Sequence, residues 1–149
     1  MSRFEEFTLS VFSITRYWNK LATEEMREHG LKGAYALYLL ALSGAEEEMT
    51  AARLAEITER DKADVSRAIT RFQEEGLVKP MGKGHYRAPI TLTPKGKKIA
   101  TQIRKKASYA LQIAGEGLSE EMRQNMYQTL AIISSNLKNM YEDNSLKSV

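Results

Sequence analysis

The stretch DKADVSRAITRFQEEGLV, residues 61–78, decides the predicted fold of this chain. Its first residue, Asp61, is a favourable helix N-cap, because the carboxylate can accept hydrogen bonds from the free N–H groups of the first turn. Three apolar side chains follow at helical spacing, namely Val65, Ile69 and Phe72. We therefore predict an amphipathic helix over residues 62–75 that buries this face and stops at Gly76.

A second, shorter helix is predicted immediately before this one. Thr50 is an N-cap candidate, and apolar residues recur at helical spacing over residues 51–58. Only Glu59 and Arg60 separate this helix from the Asp61 cap. Two helices joined by so short a turn are typical of a helix-turn-helix, whose second helix lies in the major groove of DNA.

A β-hairpin is predicted directly after the two helices. Residues 77–81 are strand-like, and residues 82–84 (GKG) are expected to form the tip. Residues 86–93 then return as a strand in which Ile90 and Leu92 alternate with other side chains. The hairpin would convert the helix-turn-helix into a winged helix.

Helices with exposed apolar faces are predicted at both ends of the chain. Near the N-terminus, apolar residues recur every three or four positions: Phe4, Phe7, Val11, Ile14, Trp18 and Leu21. This helix is predicted to run to about residue 28 and end at Gly30, before a buried helix over residues 32–43. Terminal helices with so much apolar surface usually need a partner, often another subunit.

Two more helices are predicted towards the C-terminus. One begins at Thr93-Pro94 and the other at Ser119, and the second carries an apolar stripe of Met122, Met126, Ile133, Leu137 and Met140. The predicted fold class is therefore mainly α with a small β-hairpin. We expect a winged helix-turn-helix over residues 31–96, flanked by a helical dimerisation region formed by residues 1–30 and 97–149, in a single intertwined domain.

Positive charge is concentrated in the centre of the chain. Residues 50–106 hold 14 of the 22 Lys and Arg and 6 of the 19 Asp and Glu, a net charge of +8, whereas the rest carries −5. A basic centre between acidic ends is typical of a nucleic-acid-binding module. A solvated charged face would give the same pattern, so charge alone leaves both interpretations open.

The candidate DNA-binding residues lie on the polar face of the second helix, at the start of the first helix and on the hairpin. They are Thr50, Arg53, Lys62, Ala63, Asp64, Ser66, Arg67, Thr70, Arg71, Lys79, Lys83, His85 and Arg87. Arg67 is placed to bind guanine O6 and N7, and Lys83 at the hairpin tip suits a phosphate. Asp64 has two open interpretations, as an acceptor for cytosine N4 or as an incidental surface carboxylate.

Segments of this chain resemble the MarR family of bacterial transcriptional regulators. The strongest are DKADVSRAITRFQEEGLV (61–78) and LTPKG (92–96), and HGLKGAYALYLLAL (29–42) is similar to the family's entry into its second helix. The resemblance spans most of the chain. It implies a homodimer with interleaved ends, one winged helix per half-site of a pseudo-palindromic operator, and repression relieved by a small aromatic or phenolic ligand.

The chain departs from the family pattern in three places. The turn has Glu59-Arg60 where the family usually has Gly and an apolar residue, which predicts a slightly remodelled turn. The family's wing motif, Asp-x-Arg, is missing, since Gly84 and Tyr86 occupy its positions and Arg87 comes one residue late. The cysteine of the peroxide-sensing branch and the histidine clusters of the metal-sensing branch are also absent.

Five aromatic residues are candidates for an effector pocket at the junction between the winged helix and the terminal helices. They are Tyr17, Trp18, Tyr35, Tyr38 and Tyr109. Aromatic residues at helical spacing more often pack a core or a dimer interface, so that alternative stays open.

Composition excludes several other classes of protein. The chain has no Cys and only two His, His29 and His85, so it cannot form a disulfide framework or a Cys/His zinc site, and it lacks the usual nucleophile–base pairs of enzymes. We expect no cofactor and no bound metal. The longest apolar run has eight residues, 35–42, and the first ten residues lack the apolar core of a signal peptide, so a cytoplasmic protein is expected. An alternative function is a winged-helix adapter that binds protein without specific DNA binding.

Overall fold

The computed structural model describes residues 1–82 and 87–149, and in this part of the chain it is mainly helical. The helices are α1 (Arg3–Arg27), α2 (Ala36–Ser43), α3 (Ala51–Thr58), α4 (Lys62–Glu74), α5 (Pro94–Ala114) and α6 (Glu120–Glu142). Short 3₁₀ helices cover Gly33–Tyr35, which leads into α2, and Ser145–Ser148 near the C-terminus.

Side-chain caps fix where α3, α4 and α6 begin. The Thr50 hydroxyl accepts from the Arg53 N–H at 3.1 Å, and the Asp61 carboxylate accepts from the Asp64 N–H at 2.7 Å. Ser119 caps α6 in the same way. These contacts confirm the predicted caps, because each satisfies a backbone donor that has no partner within its helix.

The core of the compact unit Met1–Ala107 is built around α2 and α4. Tyr38 and Leu39 of α2 and Val65 and Phe72 of α4 are all at most 1% exposed. The core is completed by buried residues of the other elements: Met26, Leu54, Leu77, Val78, Ala100 and Ile103. The predicted inward face of α4 is therefore confirmed. The predicted buried helix over residues 32–43 is confirmed in part, because the α-helix begins at Ala36, after a 3₁₀ turn, and Leu37 is exposed.

The turn between α3 and α4 keeps a left-handed residue without a glycine. Glu59 has φ 51° and ψ 39°, and it terminates α3 as its C-cap. Its position is where the sequence departs from the family, which usually has Gly there. Glu59 thus adopts, with a side chain, the left-handed conformation that glycine adopts without strain, at a cost in backbone strain.

The predicted β-hairpin is not confirmed as a pair of regular strands. In residues 1–82 and 87–149, β-pairing is limited to two isolated antiparallel bridges, Val78 with Leu92 and Thr50 with Pro89. Pro80 and Pro89 lack the N–H groups that a ladder needs. The segment that pairs with Val78 also changes partner at Ile90, because the Ile90 N–H donates to the Met49 carbonyl at 2.7 Å.

The chain divides into two compact units, Met1–Ala107 and Ser108–Val149, with the division inside α5. The first unit contains the whole helix-turn-helix and α1. The second contains the end of α5, then α6 and the C-terminal 3₁₀ helix. The assignment of residues 1–30 and 97–149 to a dimerisation region stays a prediction.

Across the described ranges 1–82 and 87–149, each helix is too short or too polar to cross a membrane.

Candidate nucleic-acid interface

The polar face of α4 is presented to solvent as the sequence predicts. Lys62, Ala63, Ser66, Arg67 and Thr70 are exposed, whereas Asp64 and Arg71 are half-buried. The opposite face is buried in the core through Val65, Ala68, Ile69 and Phe72. The helix therefore offers small and basic side chains outward from a rigid support, which is the geometry that a major-groove helix requires.

Asp64 is connected to the core below it. The Tyr38 hydroxyl, on α2, donates a hydrogen bond to Asp64 Oδ2. This hydrogen bond, with the Arg67 and Arg60 charges nearby, holds the pKa of the Asp64 carboxyl below its ordinary value. Burial, and then the bond to Asp64, raises the pKa of Tyr38 well above its ordinary value, so the phenol stays protonated and remains a donor.

Arg67 and Arg71 project from the same face of α4 but differ in their surroundings. Arg67 Nη2 lies 3.5 Å from Asp64 Oδ1, and 63% of its side chain is exposed. Arg71 contacts Glu75 at 2.8 Å, Glu74 at 3.3 Å and the Gly30 carbonyl at 3.4 Å. Arg67 is therefore the more available of the two for an external partner, while Arg71 ties α4 to the segment after α1.

The other predicted DNA-binding residues, outside α4, differ in exposure and in their partners. Thr50 is occupied as the cap of α3, and Arg53 is exposed and paired with Glu56 at 2.9 Å. Lys79 and Arg87 are both exposed, with the Lys79 backbone N–H bonded to Thr91 O at 2.8 Å. Lys83 and His85 lie outside the described residues, so their predicted roles stay predictions.

A groove of about 330 Å³ runs beside α4. One of its walls carries a basic side chain, Lys32, that is not among the predicted DNA-binding residues. Its walls include Arg67, Arg71 and Glu74 from α4 and Lys32 from the segment that precedes α2. Lys32 is exposed and lies beside Arg67 and Arg71 of the polar face of α4. The signal that could have found it is the lone cation at the entrance to the apolar run of α2.

The five effector-pocket candidates are in different environments. Tyr17 and Trp18 are exposed on α1, at 59% and 42% of their surface. Tyr35 and Tyr38 are buried, and the Tyr38 hydroxyl already has Asp64 as its partner. Tyr109 is exposed and belongs to the second unit. Their role in binding a ligand stays a prediction.

Comparison with known proteins gives the same family that the sequence resembles. Residues 29–83 match the sequence model of the MarR family, which confirms the resemblance. The matched segment includes α2, α3 and the whole of α4. No curated protein sequence matches the chain.

Solved structures share the fold over nearly the whole chain. A MarR transcriptional regulator from Methanosarcina mazei is 21% identical, with 94% of each chain covered and a TM-score of 0.78. A MarR family regulator from Listeria monocytogenes, solved with a 26mer DNA, is 21% identical, with 89% of each chain covered and a TM-score of 0.77. Staphylococcus aureus MarR, solved with salicylate and kanamycin, is 19% identical, with 91% of this chain and 92% of that chain covered and a TM-score of 0.76.

Proposed function

Because residues 29–83 carry a MarR-family segment, we propose that this chain is a sequence-specific DNA-binding transcriptional regulator. One observation carries the proposal: α4 buries one face in the core and exposes Lys62, Ala63, Ser66, Arg67 and Thr70 on the other. The solved Listeria relative in complex with DNA supports it. Such a regulator would act in the cytoplasm and would need neither a cofactor nor catalytic residues.

In this proposal the exposed cations have two different tasks. Arg67 reads a base edge, because it is largely exposed near the N-terminal half of α4, the part of a recognition helix that contacts bases. Arg53, Lys79 and Arg87 bind phosphates, and Lys32 does so beside α4. Phosphate contacts set affinity and salt dependence, whereas base contacts set specificity.

We also propose that the regulator is a homodimer that binds a pseudo-palindromic operator and represses transcription. The support is the apolar stripe of α1, all of which is exposed: Phe4, Phe7, Val11, Ile14, Trp18 and Leu21. On α6, Met122 and Leu137 of the predicted stripe are also exposed, while Met126, Ile133 and Met140 are half-buried. A second copy of the chain would cover these faces, as expected for surfaces too apolar to remain in water.

Regulation by a small aromatic acid or phenol completes the proposal. Tyr17 and Trp18 supply exposed rings on α1, and the Staphylococcus relative was solved with salicylate. A ligand of this kind can shift DNA binding only through its different affinities for two arrangements of the dimer. Linkage then requires operator DNA to change ligand affinity by the same factor.

The test is selection of duplex DNA from a random library, followed by titration of the selected and a scrambled duplex over a range of salt concentrations. We expect a preferred half-site repeated about one helical turn, roughly 34–36 Å, apart. Arg67→Ala should reduce the preference for the selected duplex, while Arg3→Ala, at the exposed start of α1, should leave it intact. Absence of salt-dependent DNA binding would overturn the proposal in favour of a protein-binding adapter.

A further inference from the structure

The contact between Tyr38 and Asp64 joins the core to the polar face of α4 through a single carboxylate, that of Asp64. Tyr38 is 1% exposed and its hydroxyl donates to Asp64 Oδ2. The other oxygen of the same carboxylate, Oδ1, faces Arg67 Nη2 at 3.5 Å. One end of this chain of contacts lies in the core and the other end, Arg67, lies in solvent.

The Asp64 carboxylate is held from its backbone as well. Its N–H donates to the Asp61 carboxylate at 2.7 Å, which fixes the first turn of α4. With one oxygen bonded to a buried phenol, the carboxylate cannot rotate freely. A group held on both sides in this way can orient a flexible neighbour, which reduces the entropy that the neighbour loses on binding.

This arrangement bears on the two interpretations of Asp64 that the sequence leaves open. A carboxylate that reads cytosine N4 must turn an oxygen towards the DNA. Here Oδ2 accepts from the core and Oδ1 faces Arg67. The pairing with Arg67 also offsets the repulsion between a carboxylate and the DNA phosphates.

We propose that Tyr38 and Asp64 are positioning residues that orient Arg67 for base recognition, and that Asp64 does not itself read a base. The inference rests on the proposed DNA-binding function. Tyr38 fixes the carboxylate, the carboxylate holds the guanidinium near its bound orientation, and Arg67 makes the contact. Removing the Tyr38 hydroxyl should therefore weaken sequence discrimination at the base pair that Arg67 contacts.

A purely structural role for Tyr38 predicts a different result. If the hydroxyl only secured α4 to α2, its loss would lower the stability of the fold and weaken binding to all duplexes alike. The two roles separate when affinity is measured for duplexes that differ at one base pair, and when folding is measured independently by urea denaturation.

The first experiment is a double-mutant cycle with Tyr38→Phe and Arg67→Ala on the full-length protein. Binding is measured to the selected duplex and to its single-base-pair variants, under conditions where urea denaturation shows each variant fully folded. Tyr127→Phe, which removes the same hydroxyl from an exposed tyrosine of α6, is the control. Arg67→Ala should lower discrimination at one base pair by about 5- to 150-fold, the range for a bidentate contact.

Tyr38→Phe should lower discrimination at that same base pair by a smaller factor, and Tyr127→Phe should not. The double variant should be no less specific than Arg67→Ala alone, because Tyr38 acts through Arg67. Independent, multiplying effects, or an equal loss on every duplex, would overturn the proposal. A wild-type chain without any sequence preference would instead overturn the proposed function, and the positioning role with it.

A second experiment follows the carboxylate without DNA. The Asp64 carboxyl is titrated by carbon-13 NMR in the wild type and in Tyr38→Phe, and its pKa should rise in the variant because the donor is lost. An unchanged Asp64 titration would overturn the contact on which the proposal depends. Asp64→Asn, which keeps an acceptor for Tyr38 but removes the charge facing Arg67, should reduce discrimination at the Arg67 base pair. A changed preference at a different, cytosine-containing position would show that Asp64 reads a base and would also overturn the proposal.

Discussion

Gly96 packs directly against the backbone of Leu77. A Cβ atom built on Gly96 would lie 2.0 Å from the Leu77 carbonyl oxygen and 2.9 Å from its carbonyl carbon. Gly96 occupies the first turn of α5, where its N–H donates to the Thr93 hydroxyl at 3.1 Å. The glycine in the LTPKG segment therefore allows the start of α5 to approach the segment that follows α4.

We expect Gly96→Ala to destabilise the fold by at least about 1–3 kcal/mol, the usual cost of overpacking, because the obstructing atoms are backbone. Urea denaturation measures the loss. Gly44→Ala is the control, since its nearest neighbour would be the end of the Arg104 side chain at 2.8 Å, which can move at the cost of its hydrogen bonds to Leu40 and Ser43, so we expect a smaller loss. Equal losses in the two variants would contradict the packing account.

At the left-handed turn residue Glu59, we expect the reverse change, from a residue with a Cβ to glycine, to relieve strain. At φ 51° a side chain with a Cβ is strained, so Glu59→Gly should relieve strain while it increases the entropy of the unfolded chain. Glu59→Ala is the matched variant, because it removes the same side chain and keeps the Cβ. We expect Glu59→Gly to be more stable than Glu59→Ala by up to about 1 kcal/mol in urea denaturation. An Ala variant as stable as the Gly variant would show that the turn stores no strain.

The Tyr38–Asp64 contact predicts how stability changes in acid. The folded-state pKa of Asp64 is lowered, first by the hydrogen bond from Tyr38. The contribution of the Asp64 carboxylate to folding stability is therefore fully present above its pKa in the unfolded chain, about 3.9. This contribution is lost as the pH falls through the lower pKa of the folded state. Between about pH 5 and pH 3, wild type should lose more stability than Asp64→Asn, which has no proton to bind there. Parallel pH profiles of urea midpoints would contradict this linkage.

Local sequence signals predicted most of α3 and α4. The caps at Thr50 and Asp61 and the inward side chains Val65, Ile69 and Phe72 are decided within a few residues of each other. The regular hairpin is not confirmed among the described residues, where alternation at Ile90 and Leu92 coexists with Pro80 and Pro89, which cannot donate to a ladder.

The roles within the candidate interface depended on contacts between distant residues. Tyr38 and Asp64 are 26 positions apart, and only the packing of α2 against α4 brings them together. The same holds for Lys32, which lines a groove with Arg67 and Arg71 from a different element. Helical spacing identifies which residues face outward, but it does not show which outward residues are held by a partner from another helix.

The apolar face of α1 gives the last prediction. Ile14 is 69% exposed in the centre of the stripe that begins at Phe4 and ends at Leu21. If a second copy covers this stripe, Ile14→Glu places an unpaired carboxylate in an apolar interface, at a cost of several kcal/mol. Sedimentation equilibrium should then show a wild-type dimer at micromolar concentration and a monomer, or aggregates, for Ile14→Glu.

Ser13→Glu is the control for this prediction, because it adds the same side chain one position earlier, away from the centre of the stripe, and should leave the dimer intact. A wild type that sediments as a monomer, or an Ile14→Glu variant that stays dimeric, would show that this face is not the dimer interface. Because a dimer contacts two half-sites, loss of the dimer should also weaken operator binding much more than binding to an isolated half-site.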